Sequence, residues 1–196
     1  MAAGEYFSRI VSYFTKGSFT DEYGVTHGGG HHFNFTLWEV LNEPNYYAHY
    51  QQPPSPIATY TKIYDGVTSV LHRDHPQLTF AAMCWGGTQV SDFQYFFDRS
   101  NHNSTAPWPP AFVTFHIYSS PSDMFGESLV GPLLNTAEIV SLVRAQSPTT
   151  RVFMDELGIF GCPDVNYTDT LDAGSQRVAF WNSRAAWFAV MCVPTH

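Results

Sequence analysis

The chain has 196 residues, 44% of them hydrophobic and 13% charged, which supports one domain with a sizeable core and excludes a disordered polymer. Seventeen acidic residues stand against nine basic ones, a net charge of −8 with no basic run, so a nucleic-acid partner is excluded. The apolar run over 185–193 is far short of the ~20 residues that span a bilayer, so a soluble domain without membrane contact is expected.

Tyr6, Ile10, Val11 and Phe14 recur at near-helical spacing and predict a helix over 5–15. Residues 16–32, rich in Gly, Thr and His, read as a loop. The β-prone run Phe33, Phe35, Leu37, Val40 predicts a strand over 33–42. It stops at Asn42-Glu43-Pro44, because Pro44 has no N–H to continue a ladder. A Tyr/Pro/Gln-rich loop (46–56) leads into a helix from Ile57 to about His75, with Tyr60, Ile63, Tyr64, Val67, Val70 and Leu71 on its stripe. A strand over 78–85 closes on Gly86-Gly87, followed by a helix over 90–99 and a proline-bounded loop over 101–110. Further strands are predicted over 111–118 and 151–157, with helices over 129–146 and 176–193. Strands that alternate with helices imply an α/β fold whose parallel strands are joined by helical crossovers.

Two of these strands end on a carboxylate, Glu43 and Glu156. In a (β/α)8 barrel the carboxyl ends of the strands form the rim that carries catalytic groups. Two rim glutamates are what glycoside hydrolysis requires, one as acid/base and one as nucleophile. Asn42, beside Glu43, is placed to bond a sugar 2-hydroxyl. His116 and Tyr118 sit two apart on one strand and so share a face, where either could touch Glu156. Trp85, at the end of its strand, is a candidate sugar-stacking platform, and Trp38 reads as core with Glu39 behind the site.

His27, His31, His32 and His49 lack Asp, Glu or Cys partners at ligand spacing, so no metal is expected. No Gly-x-Gly-x-x-Gly or Walker pattern occurs, so no nucleotide cofactor is expected. Cys84, Cys162 and Cys192 allow at most one internal disulfide. The triplets at Asn34, Asn103 and Asn166 are N-glycan acceptors if the chain enters a secretory or lysosomal compartment, and Asn103 lies in the most loop-like setting. The start of the chain lacks the basic flank and apolar core of a signal peptide, so a secreted enzyme of this sequence would be a fragment.

Trp38-Glu39-Val40-Leu41-Asn42-Glu43-Pro44 resembles the strand-four signature of the retaining (β/α)8 glycosidases that share an Asn-Glu acid/base pair. Within that clan it is most similar to the group of β-xylosidases and α-L-iduronidases, whose version reads Trp-Glu-x-Trp-Asn-Glu-Pro; Leu41 departs from it. The likeness extends over about residues 33–160. It implies that Glu43 is the acid/base, that Glu156 near the end of strand seven is the nucleophile, and that a strand-six aromatic hydroxyl contacts the nucleophile. It also implies a xyloside-, iduronide- or related oligosaccharide, polysaccharide or glycosaminoglycan substrate.

If Glu43 ends strand four and Glu156 ends strand seven, each intervening βα unit takes roughly 38 residues, against ~31 in a typical barrel. The whole chain, 1–196, then reads as one partial catalytic domain covering strands four to seven. Strands one to three would precede Met1 and strand eight would follow His196. A non-catalytic carbohydrate-binding relic is the alternative, since missing strands would leave exposed sheet edges.

Overall fold

A computed structural model describes residues 2–47, 55–119 and 127–159. Helix α1 (Ala2–Thr15) leads to a small antiparallel hairpin, β1 (Phe19–Thr20) and β2 (Thr26–His27). The main elements follow as β3 (Leu37–Glu39), α2 (Pro56–Asp74), β4 (Thr79–Gly86), α3 (Val90–Phe97), β5 (Phe112–Ser119), α4 (Glu127–Gln146) and β6 (Arg151–Ile159). Strands β3 to β6 form one sheet in sequential order, and every pairing in it is parallel. The chain is therefore α/β, a run of β/α units of the kind that closes into a (β/α)8 barrel.

Local chemistry sets these boundaries. Ser55 caps α2 by accepting from the Ala58 N–H at 3.2 Å, and Pro56 fits the first turn because that position needs no N–H. Strands β4, β5 and β6 begin and end within two residues of the sequence reading. Along β5, Val113, Phe115 and Ile117 enter the core while Thr114, His116 and Tyr118 take the opposite face. The core lies between the first face and the helices, with Tyr60, Tyr64 and Leu71 of α2 and Phe93 and Phe96 of α3. Burying each such side chain contributes about 1.5–3 kcal/mol.

Three expectations are corrected. The 16–32 loop holds the β1–β2 hairpin, whose turn is fastened by Asp21 accepting from the N–H groups of Tyr23 and Val25, both at 2.9 Å. The strand expected over 33–42 shrinks to Leu37–Glu39. Its first half is tied to the end of α1 instead: the Phe33 N–H donates to the Phe14 carbonyl at 2.8 Å, and the Phe33 ring stacks on His31 at 4.9 Å. The helix expected over 90–99 stops at Phe97, and Arg99–Asn101 continue as a 3-10 turn. The helix expected over 176–193, His49, Cys162, Cys192 and the Asn166 triplet lie outside the described residues. No described helix is long and apolar enough to cross a membrane.

Candidate active site

The backbone beyond β3 does not separate from β4. The Glu43 N–H donates to the Cys84 carbonyl at 2.9 Å, and Pro44 then opens a 3-10 turn over Pro44–Tyr46. Asn45 fastens that turn to β4, donating to the Gly86 carbonyl at 3.0 Å and accepting from the Gly86 N–H at 2.9 Å. Among the described residues, the non-glycine positions with positive φ are Leu41 (66°), Glu43 (44°), Met83 (78°) and Cys84 (46°). All four lie at the carboxyl ends of β3 and β4. Each such conformation costs about 1–3 kcal/mol, so the surrounding bonds hold this rim under strain, as at many active sites.

The strained rim gathers Glu43, Glu156, His116 and Tyr118. Nδ1 of His116 lies 2.7 Å from Oε1 of Glu43 and 3.5 Å from Oε2 of Glu156. The Tyr118 hydroxyl donates to Oε2 of Glu156 at 2.7 Å, and that bond, with some burial, pushes the phenol pKa up so that it stays a donor. A carboxylate oxygen of Glu43 and one of Glu156 lie within 4.8 Å of each other. The imidazole is 1% exposed, whereas the Glu43 and Glu156 side chains are 27% and 41% exposed. The histidine is thus a buried anchor and the carboxylates are open to a ligand.

Asn42 is exposed beside Glu43, and its Oδ1 accepts from the Cys84 thiol at 3.2 Å. A cleft of about 80 Å³ opens between Glu43, Tyr46, Gly86, Gly87, His116 and Tyr118. That is small beside the ~300–1,000 Å³ of an ordinary ligand pocket, so it is one corner of a site. The Tyr46 ring covers Gly86 so closely that an added Cβ would sit 2.1 Å from its Cε2. Only glycine admits that contact.

Trp85 is not part of this cleft, which corrects the stacking expectation. A register shift between Met83 and Trp85 turns the indole to the helix side, where it is fully buried. Its N–H donates to Asp92 at 2.9 Å and its ring meets Tyr60 edge-on. Trp38 packs against Phe7 of α1.

Three residues at the site went unread in the sequence. The shift that buries Trp85 turns Cys84 toward His116, with Sγ 3.4 Å from Nε2. Asp155 is the bulged residue of β6, where the register skips between Phe115 and His116, and its Oδ1 lies 3.6 Å from the same Nε2. Thr114 links the layers, donating to Glu39 at 2.5 Å and accepting from the Cys84 N–H at 3.0 Å. Burial pushes up the pKa of the Cys84 thiol and of the Asp155 carboxyl, with Glu39 adding to both. Among the described residues, no Lys or Arg pairs with Glu39, Glu43, Asp155 or Glu156. Of the loop histidines, His27 pairs with Asp21 at 2.8 Å and His31 stacks between aromatic rings.

No protein-family model matches the sequence, and no curated protein matches it. Among solved structures the chain is similar to a GH39 β-xylosidase from Caulobacter crescentus, at 18% identity and TM-score 0.45 over 74% of this chain and 29% of that one. It is also similar to a family 51 α-L-arabinofuranosidase from Bifidobacterium longum, at 14% identity and TM-score 0.39 over 82% of this chain and 31% of that one. The chain thus spans about three tenths of the length of either structure.

Proposed function

We propose that residues 1–196 are a catalytic module of a retaining O-glycosidase, with Glu43 as acid/base and Glu156 as nucleophile. The approach of the two carboxylates to within 4.8 Å around one imidazole carries the reading. Retaining enzymes hold the two carboxyl groups ~5–5.5 Å apart, whereas inverting enzymes leave ~6.5–9.5 Å for a water. In the first step Glu156 forms a bond to the anomeric carbon while Glu43 gives its proton to the departing oxygen. In the second, water attacks that carbon, Glu43 takes the water's proton, and Glu156 is released. Tyr118 holds the attacking carboxylate in place from one side. Glu43 presents Oε1 to His116, which leaves Oε2 to carry the proton.

The substrate proposed is a xyloside, iduronide or related unit of an oligosaccharide, polysaccharide or glycosaminoglycan, with Asn42 on the 2-hydroxyl. A secreted or lysosomal setting is part of the proposal. Asn103, exposed and with its Oδ1 accepting from the Thr105 N–H at 3.1 Å, is the residue whose glycan would be sought. One observation favours a second, non-catalytic reading: Leu37 and Phe153, on the cleft side of the sheet, are 47% and 46% exposed. Intact-mass labelling with a panel of 2-deoxy-2-fluoro glycosides separates the two. A glycosyl adduct mapped to Glu156 is the expected result. A cooperatively folded chain that binds sugars and takes no adduct would overturn the enzymatic reading in favour of a binding relic.

A further inference from the structure

We propose that Cys84, His116 and Asp155 form a zinc site behind the two glutamates, contrary to the expectation of no metal from sequence. The inference stands apart from the glycosidase reading, because it concerns the opposite edge of the imidazole. His116 turns Nδ1 to Glu43 and Nε2 to Cys84 and Asp155. With the proton on Nδ1 and shared with Glu43, the Nε2 lone pair faces a thiol and a carboxylate. Two acceptors, Nε2 and Oδ1, then confront each other at 3.6 Å, and a thiol with one proton already given to Asn42 stands 3.4 Å from Nε2. The one thiol proton, shared between Asn42 and Nε2, does not satisfy all three atoms at once.

A small divalent cation does. Zinc bonds of ~2.3 Å to sulfur, ~2.0–2.1 Å to imidazole nitrogen and ~2.0–2.2 Å to carboxylate oxygen, set tetrahedrally, place neighbouring ligand atoms roughly 3.3–3.7 Å apart. The observed 3.4 Å and 3.6 Å fall in that range, and all three ligand atoms lie within 4.8 Å of one another. A thiolate, an imidazole and one carboxylate select zinc over the hard cations, which take all-oxygen shells. The Nδ1–H to Glu43 bond supplies the outer carboxylate that orients most metal-bound histidines. Charge argues in the same direction: Glu39, Glu43, Asp155 and Glu156 surround the site with no Lys or Arg partner among the described residues.

Binding exchanges one bond for another. The Cys84 S–H breaks, sulfur bonds zinc, and the proton leaves to solvent. Burial and Glu39 disfavour that ionisation in the free thiol, while a bound dication reverses the balance. A water takes the fourth position. The bound ion would lock the imidazole with Nδ1–H toward Glu43.

The test uses the tag-free full chain with Cys162 and Cys192 replaced by Ser, titrated with Zn²⁺ by calorimetry in two buffers and with Co²⁺ by absorption. The expected result is one equivalent of Zn²⁺ bound with release of about one proton, and a thiolate-to-cobalt charge-transfer band. Cys84→Ser should remove the band and weaken Zn²⁺ binding at least tenfold. Asp155→Asn, a partly exposed substitution, should weaken binding at least tenfold and keep the band; it decides the matter if Cys84→Ser does not fold. Absence of stoichiometric Zn²⁺ binding, or binding that neither substitution weakens, overturns the proposal. Neither readout requires a sugar, so it stands or falls independently of the labelling experiment.

Discussion

Two polar clusters among the described residues each combine a histidine, carboxylates and hydroxyls. One lies at the rim of β3 to β6; the other joins α1 to the end of α2. In the second, the Ser8 hydroxyl donates to Asp74 at 2.7 Å, and Nε2 of His75 lies 3.1 Å from the Ser8 carbonyl and 3.2 Å from its hydroxyl. On paper this is a Ser/His/Asp set. Its geometry rules out triad chemistry, because the aspartate bonds the serine instead of orienting the histidine. Its charges are also met: Arg73 clamps Asp74 with contacts of 2.6 and 2.9 Å and reaches Glu5 at 3.1 Å. The rim cluster has the opposite balance, three carboxylates around one imidazole, with Glu43 and Cys84 on backbone held at positive φ. Compensated charge at helix ends fastens two elements; uncompensated charge on a strained rim is what singles out the candidate site.

Substitutions at the rim should therefore remove activity and leave the fold standing. Glu156→Ala has the largest expected effect, complete loss of glycoside turnover with an unchanged thermal midpoint. Turnover surviving at even a hundredth of the original rate would remove Glu156 from the nucleophile role. Glu43→Ala comes next, at about 10²–10⁴-fold on substrates with poor leaving groups. Glycosides with very good leaving groups should keep a fast first step, seen as a burst, because they need no acid. Equal losses on both kinds would count against Glu43 as the acid. Gly86→Ala ranks third: the new methyl must displace Tyr46, an exposed ring, so KM should rise severalfold with little change in stability. A large loss of stability would show that the Tyr46 contact supports the fold.

The comparison also explains what could be read from the sequence. Apolar runs flanked by Gly and Pro carry β4, β5 and β6, and a carboxylate closing such a run marks Glu43 and Glu156. Period-two spacing puts His116 and Tyr118 on one face. None of this locates the register shifts at Met83–Trp85 and Phe115–His116, which follow from how neighbouring strands fit. Those shifts decide that Cys84 and Asp155 meet Nε2 of His116 and that Trp85 does not. Residues 33–36 were misread for a similar reason. Their alternation suits a strand, but a bond from Phe33 to α1 holds the start of the stretch, and only Thr36 reaches β4, through its carbonyl.

The α1–α2 clamp supplies the smallest effect and the sharpest contrast. Hydrogen bonds from Arg73, the larger influence, and from Ser8 hold the Asp74 pKa down at about 2, below the ~3.9 of an unfolded chain. A depressed carboxyl contributes stability above its unfolded pKa and loses it as pH falls through the folded value. The contribution should be full above roughly pH 4 and vanish toward pH 2. The Arg73 side chain is 59% exposed, so solvent screening limits the pair to about 1 kcal/mol. Asp74→Asn should then lower stability at pH 6 by that amount, and the gap between the two proteins should close by pH 2. Denaturant unfolding at several pH values reads this directly. Because the clamp carries no chemistry, turnover per folded molecule should be the same in both; a loss of activity at pH 6 would place the α1–α2 junction in the working site and undo the distinction between the two clusters.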